Sequence, residues 1–379
     1  MYRSTIVCVV GARPNFMKMA PVMRALRAAA PDALLKLVHT GQHYDAQMNA
    51  EHFRALHLPR PDVNLDVGSA SHAIQTAEVM RRFEPVLDEH RAAAALVVGD
   101  VNSTLACALV AAKKGVPVIH VEAGLRSHDR SMPEEINRVL TDQLSELLFI
   151  TEKHARDNLL REGVSDAGIH FVGNVMIDTL LANLPRAVPP GATLRLHGVD
   201  DARFTGNYAL LTLHRPSNVD DAPRLRALLG AIRETSRRLP VVFPMHPRTG
   251  AMVERYGMRE LLDSACAVLP PLGYLEMLGL MQRATCVLTD SGGVQEETTA
   301  LGVPCLTLRD NTERPVTVEE GTNTVVGRDA SRIVSAVDEV LCSGGKRGRI
   351  PELWDGRASE RIAAVIASWL HGTAGRLVA

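Results

Sequence analysis

Residues 5–29 read TIVCVVGARPNFMKMAPVMRALRAA, and the class of fold can be argued from them. Thr5–Val10 is an unbroken apolar, β-branched run, as expected of a parallel strand covered on both faces. A turn follows at Gly11, and Lys18–Ala29 then carries a helical pattern. The alternation repeats: strands are predicted at Leu34–His39, Leu96–Gly99, Val116–Val121, Leu147–Ile150 and Ile169–Val172, with a helix at Ser103–Lys114. Such βαβ repetition implies a doubly wound, Rossmann-like sheet.

Past Val175 the pattern weakens, and residues 184–206, rich in Pro, Gly and Asp, read as a boundary with little regular structure. A second series begins with strand Tyr208–Leu213 and helix Arg224–Leu239, followed by strand Val241–Met245 and helix Gly273–Gln282. It continues through strand Cys286–Thr289, helix Val294–Leu301 and strand Cys305–Leu308. The 379 residues exceed one ordinary core, at a prior of about 150 residues per domain. The expectation is an α/β protein of two Rossmann-like domains facing across a cleft, residues 1–177 and 178–357. A last helix, about 358–379, is a candidate to pack back on the first domain.

The 42 basic and 43 acidic side chains nearly cancel, which removes the usual reason to expect a nucleic-acid partner. An anion would have to be held by a local constellation. Six cysteines stand singly, with no CxxC or Cys/His cluster, and read as inert thiols of a reducing, cytoplasmic compartment. No stretch approaches the roughly 20 apolar residues of a membrane span, and no cleavage-site pattern follows the first apolar run. No zinc-like His/Cys spacing, HExxH or Walker lysine occurs, so neither a metal nor a cofactor is expected.

In open α/β sheets ligands bind beyond the carboxyl ends of strands, and the polar residues there are the candidates. Gly11–Lys18 is not GxGxxG, but it presents Arg13 and Lys18 at a helix N-terminus, where an anion is already favoured. Asp290-Ser291-Gly292-Gly293 follows another strand and opens a helix carrying Glu296 and Glu297. It reads either as a phosphate cradle with a ribose-binding glutamate or as an ordinary capped helix. His214-Arg215 and His246-Pro247-Arg248 end two strands of the second domain and are donors suited to a departing diphosphate. Asp100 and Glu122 end two strands of the first domain, and Glu134 opens helix Pro133–Leu148. The apolar stripe Ile136, Val139, Leu140, Leu144 and Leu147 is taken as that helix's buried face. Glu134 and Arg138, four apart, form either a surface ion pair or part of an acid/base site in which neighbouring carboxylates raise one another's proton affinity.

Taken together, GARPNFMKMAP, TGQHYD, VVGDVNST, HVEAGLRS, MPEEINR, VGNVMIDTL, LTLHRPSN, MHPRT, TDSGGVQEE and TERP resemble, in order, the bacterial non-hydrolysing UDP-N-acetylglucosamine 2-epimerases. The resemblance implies the GT-B arrangement of two Rossmann-like domains. It also implies reversible epimerisation at C2 through anti elimination of UDP, a bound 2-acetamidoglucal, and re-addition. By the same resemblance Arg13, Asp100, Glu122, Glu134 and His214 fall on catalytic positions, while Lys18, Arg138 and Arg314 lie near the sugar. Ser291, Gly292, Gly293 and Glu297 match UDP contacts, and His246 joins the binding set. The implied partners are UDP-N-acetylglucosamine, UDP and a second copy of the chain.

The chain departs from the family in having Asn15 where GTRPE is common and Met277 where an aromatic near uracil is common. His43-Tyr44-Asp45 replaces a histidine-arginine pair in a loop that some members use for an activating second UDP-N-acetylglucosamine, with Gln42 and Gln47 retained. Competing readings are a hydrolysing 2-epimerase, an epimerase of a 2,3-diacetamido-uronic acid nucleotide, a GT-B glycosyltransferase and a non-catalytic nucleotide-sugar sensor. Which carboxylate serves as base and which as acid stays open.

Overall fold

A computed structural model describes residues 4–41, 58–199, 202–204, 206–262 and 266–374. The chain divides into two compact units, Met1–Thr179 with Glu352–Ala379, and Leu180–Pro351. The first unit's strands are β1 (Thr5–Val10), β2 (Leu34–His39), β3 (Val63–Asn64), β4 (Ala92–Val98), β5 (Val118–Ala123), β6 (Leu147–Ile150) and β7 (Ile169–Phe171). They lie in the order β3-β2-β1-β4-β5-β6-β7, every pair parallel. The second unit holds β8 (Ala209–Thr212), β9 (Val241–Pro244), β10 (Cys266–Leu269), β11 (Cys286–Thr289), β12 (Cys305–Thr307) and β13 (Asn323–Val325). Their order is β10-β9-β8-β11-β12-β13, again all parallel.

The central strands β1 and β8 are covered on both faces and are apolar throughout or nearly so. Leu211 of β8 belongs to a core with Leu228, Leu229 and Ile232 of helix Ala222–Ser236. Its neighbour Leu210 packs on the other side with Leu280 and Met281 of helix Tyr274–Arg283. In each sheet the winding direction reverses once, between β1 and β4 and between β8 and β11. Such switch points open crevices at the carboxyl ends of the strands.

Three differences from the sequence reading have physical causes. β3, β10 and β13, absent from that reading, are edge strands of only two to four residues. Residues 184–206 are not structureless: Pro190–Leu196 is a helix and two single 3-10 turns flank it. Pro190 takes the first helical position, where a proline costs no hydrogen bond, and Leu194 is buried against Phe204 and Tyr208. Helix Pro133–Leu144 buries only part of the expected apolar stripe: Leu147 is buried and Leu144 packs on the core, but Ile136 and Leu140 are 47% and 46% exposed, while Glu135, Asn137, Arg138, Thr141 and Asp142 are buried. That helix turns its polar side inward because the carboxyl ends of β4 and β5 supply polar partners.

Cys8, Cys107, Cys286 and Cys305 are buried and Cys266 partly so, while Cys342 is exposed. Burial pushes the Cys8, Cys266, Cys286 and Cys305 thiols up to about 12. Among the described residues no helix is long and apolar enough to cross a membrane. No group of three or more metal-ligating side chains occurs among them either.

The final helix, Ala358–Ala374, packs on helix Arg13–Ala29 in the first unit. The buried Asp178 carboxylate accepts the amides of Ala358 at 3.1 Å and Ser359 at 2.7 Å, capping that helix. Both tryptophans of the chain, Trp354 and Trp369, lie in this unit, so intrinsic fluorescence reports its unfolding. Asp178→Ala is expected to destabilise the unit by roughly 1–2 kcal/mol in a urea titration read by tryptophan emission. An unchanged midpoint would show that the cap contributes nothing.

Candidate active site

The first unit's candidates gather at the β1/β4 switch point and the neighbouring end of β5. At β1, Asn15 accepts the amides of Gly11 and Ala12 at 3.1 and 3.0 Å and donates to the Val98 carbonyl at 3.0 Å. An amide at this position thus ties the ends of β1 and β4 together; a glutamate could not make the third bond. Arg13 begins the adjoining helix, and its side chain lies outside the described residues. So do Gln42, His43, Tyr44, Asp45 and Gln47.

At β5 the chain bulges. Val121 pairs with Phe149 and Ala123 with Ile150, leaving Glu122 out of register with φ +73. A bulge re-aims the extra side chain, and a left-handed glutamate is held only where its surroundings demand it. Here Glu122 forms an ion pair with the Lys18 ammonium, the two side chains 2% and 8% exposed. Breaking one member of so buried a pair would leave an uncompensated charge. A Cβ on Gly99 would stand 3.2 Å from the Lys18 nitrogen, which sets that ammonium beside the Gly99–Asp100 turn as well.

Asp100 is held by the inward face of helix Pro133–Leu144. Asn137 Nδ2 donates to its carbonyl at 2.9 Å, and Arg138 Nη2 to its carboxylate. Arg138 also meets Glu135 at 2.7 Å, and Glu135 accepts the amides of Ser127 and His128 at 2.9 Å. Arg138 thus turns inward to Asp100 and Glu135, and Glu134 sits half-buried in the helix's first turn. Asp100 and Glu122 each face a cation of their own.

In the second unit the candidates straddle the β8/β11 switch point. His214 Nδ1 lies 2.9 Å from Asp290 Oδ1, and Asp290 also accepts the amides of His214 and Arg215 at 3.1 and 2.9 Å. Asn218 Nδ2 adds a bond at 3.2 Å. Burial alone would raise the Asp290 pKa, but the His214 imidazole and the two amides outweigh it and hold the carboxyl below its usual range. Asp290 thereby orients the His214 ring, a role the sequence reading missed although the residue stood in a quoted motif. The His246 ring centre is 5.7 Å from that of His214, and its Nδ1 caps helix Pro247–Arg255 by accepting the Arg248 amide at 3.2 Å. Arg248 is turned away to Asp220 at 2.8 Å.

Ser291 is the N-cap residue of helix Gly292–Leu301, and its hydroxyl makes no capping bond. A Cβ on Gly292 would lie 2.8 Å from Glu313 Oε1, so any larger residue there would have to displace the Glu313 carboxylate. Glu313 is fixed by Arg309 at 2.8 Å and Arg215 at 3.3 Å, and Arg314 meets Glu296 at 2.7 Å. Met277 packs against the core cluster containing Leu280 and Met281. Glu297, one turn into the helix, accepts the Tyr274 hydroxyl at 2.9 Å. Burial raises the Glu297 pKa from 4.5 to about 7; Tyr274 opposes this and Glu296 adds to it.

Between those two values the folded protein keeps a proton that the unfolded chain has released. This contribution to stability is full below about pH 4.5 and is lost as pH rises through about 7. Glu297→Gln should flatten that part of the stability profile measured by urea unfolding from pH 4 to 8. A wild-type slope in the variant would mean that another group is responsible.

Residues 24–367 match the family model described as UDP-N-acetylglucosamine 2-epimerase. A UDP-N-acetylglucosamine 2-epimerase of Methanococcus maripaludis is 42% identical over 347 residues, covering 90% of this chain and 93% of that one. The UDP-2,3-diacetamido-2,3-dideoxy-D-glucuronate 2-epimerase of Pseudomonas aeruginosa is 41% identical over 366 residues, covering 96% and 99%. The crystal structure of the Methanocaldococcus jannaschii UDP-GlcNAc 2-epimerase in complex with UDP-GlcNAc and UDP superposes with a TM-score of 0.88 at 39% identity, covering 96% and 99%. With paired carboxylates and cations at one switch point and a histidine–aspartate pair beside a glycine-opened helix at the other, the chain belongs to the UDP-N-acetylglucosamine 2-epimerase family.

Proposed function

We propose that this protein interconverts UDP-N-acetylglucosamine and UDP-N-acetylmannosamine by reversible elimination and re-addition of UDP. The observation that carries the proposal is the gathering of Asp100, Glu122, Lys18 and Arg138 at one switch point, and of His214, Asp290 and the Ser291–Gly293 turn at the other. The hydrogen on C2 of the sugar has no neighbouring carbonyl and is not acidic. A base takes it as the C1–O bond to UDP breaks, leaving 2-acetamidoglucal and a diphosphate that carries the departing electron pair. A proton then returns to C2 on the opposite face, and UDP adds back at C1. Asp100, Glu122 and Glu134 are the carboxylates available for the two proton transfers. Arg13 and His214 act on the leaving diphosphate, and Asp290 keeps the His214 ring aimed. Ser291, Gly292 and Gly293 receive phosphate, Glu297 the ribose diol, and Lys18, Arg138, His246 and Arg314 complete the binding set.

The alternative with specific support is an epimerase of a UDP-2,3-diacetamido-uronic acid, because the Pseudomonas aeruginosa relative is as similar as the archaeal one. We further place the enzyme in the cytoplasm, which the six unpaired thiols support. We take it as a homodimer, which the outward Ile136 and Leu140 support.

Incubation with each UDP-sugar in deuterated water, followed by proton NMR, tests the reading. Deuterium should enter C2 of UDP-N-acetylglucosamine while both epimers persist. Exchange confined to the diacetamido-uronate would transfer the assignment to that sugar, release of free N-acetylmannosamine would indicate hydrolysis, and no exchange with either would end the proposal. Glu122→Gln should keep UDP affinity and lose exchange. His214→Ala should lower kcat by roughly 10²–10³.

A further inference from the structure

The first unit holds a buried polar chain that the proposed chemistry does not use. His120, on β5, is fully buried, as is Asp142 on helix Pro133–Leu144. His120 Nδ1 stands 2.7 Å from Asp142 Oδ1, and its Nε2 2.8 Å from the Gly99 carbonyl oxygen. Asp142 Oδ2 accepts the Gly124 amide at 3.0 Å and meets Arg126 Nη1 at 2.7 Å. Arg126 continues to Glu162 at 2.8 and 2.5 Å, and these carboxylates keep its guanidinium charged although burial opposes it.

Hydrogen-bond valence decides what the ring does. A carbonyl oxygen only accepts, and so does a carboxylate already neutralising an arginine, so both ring nitrogens must donate. The ring thus bridges two acceptors, Asp142 on one side and the Gly99 oxygen on the other. That carbonyl matters because Gly99 has φ +67 and its neighbour is Asp100. Glycine permits several orientations of the following peptide plane, and the clamp on its oxygen selects one. A trans peptide points its C=O and N–H in opposite directions, so fixing the Gly99 oxygen also fixes the Asp100 amide and the start of its side chain.

We propose that His120 is a positioning residue: held by Asp142 as a two-ended donor, it locks the Gly99–Asp100 peptide and so sets the Asp100 carboxylate for proton transfer. The inference rests on the reading of Asp100 as a working carboxylate. Through Gly124, the same Asp142 steadies the segment just after Glu122, so one buried acid serves the ends of both β4 and β5.

Two substitutions separate the ring's two bonds. The amide nitrogen of asparagine reaches the place of Nδ1, and that of glutamine the place of Nε2. His120→Gln keeps the donor to Gly99, whereas His120→Asn keeps only the bond to Asp142. Displacing a reacting group by about an ångström costs up to roughly 10²-fold. His120→Asn should therefore lose roughly 10- to 100-fold in kcat at unchanged KM and UDP affinity, and His120→Gln should recover most of it. A merely structural histidine would lower the thermal midpoint in both variants and leave kcat per folded molecule unchanged. That result, or equal kcat losses in the two variants, overturns the proposal. If neither variant folds, nitrogen NMR of the 15N-histidine-labelled wild type decides: two protonated ring nitrogens at His120 are required, and one bare nitrogen refutes the clamp. Asp100→Asn in the same assay keeps the premises apart. If Asp100→Asn is fully active, the reading of Asp100 fails; if it is inactive while His120→Asn is normal, only the positioning role fails.

Discussion

A charged side chain leaving the end of a fully covered parallel strand has little water to solvate it, so it persists only against a partner. Much of the first unit's arrangement follows from that constraint. Lys18 meets Glu122, Arg138 meets Asp100 and Glu135, and Arg126 meets Asp142 and Glu162. The partners arrive from outside the sheet: helix Arg13–Ala29 supplies Lys18, and helix Pro133–Leu144, its polar side turned inward, supplies Arg138, Glu135 and Asp142. The second unit solves the same problem with Asp290, which gathers a ring nitrogen, two amides and the Asn218 side chain around one buried carboxylate.

This also explains what could and could not be seen in the sequence. Central strands such as Thr5–Val10 were legible because burial on both faces writes an unbroken apolar run. The two-sheet α/β architecture followed from their repetition, and the ordered motifs pointed to the family. Helix Pro133–Leu144 was legible as a helix but misread in orientation, because periodicity shows that a face exists and not which way it turns. Ile136 and Leu140 form the more apolar stripe and still face outward. Glu134 and Glu135 cannot be ranked by type or spacing, yet Glu135 organises the Ser127–His128 loop.

The residues overlooked were mostly those acting through a neighbour. His120 sits inside an apolar strand run, where a lone histidine is ordinarily read as a satisfied core residue, and only the distances to Asp142 and Gly99 set it apart. Asp290 lay in a motif interpreted through its serine and glycines. Tyr274, whose hydroxyl reaches Glu297, is distant from it in sequence. The bulge that singles out Glu122 leaves no compositional trace, since it depends on the register with β6.

The uneven burial of the thiols has a practical use. Cys342 alone is exposed, on the second unit, whereas the other cysteines are wholly or partly covered. A maleimide acceptor dye should therefore attach at a single natural handle without engineering. With the indole donors confined to the first unit, energy transfer from them to the dye would provide a ruler between the two units, and nucleotide could be titrated against it in the native chain.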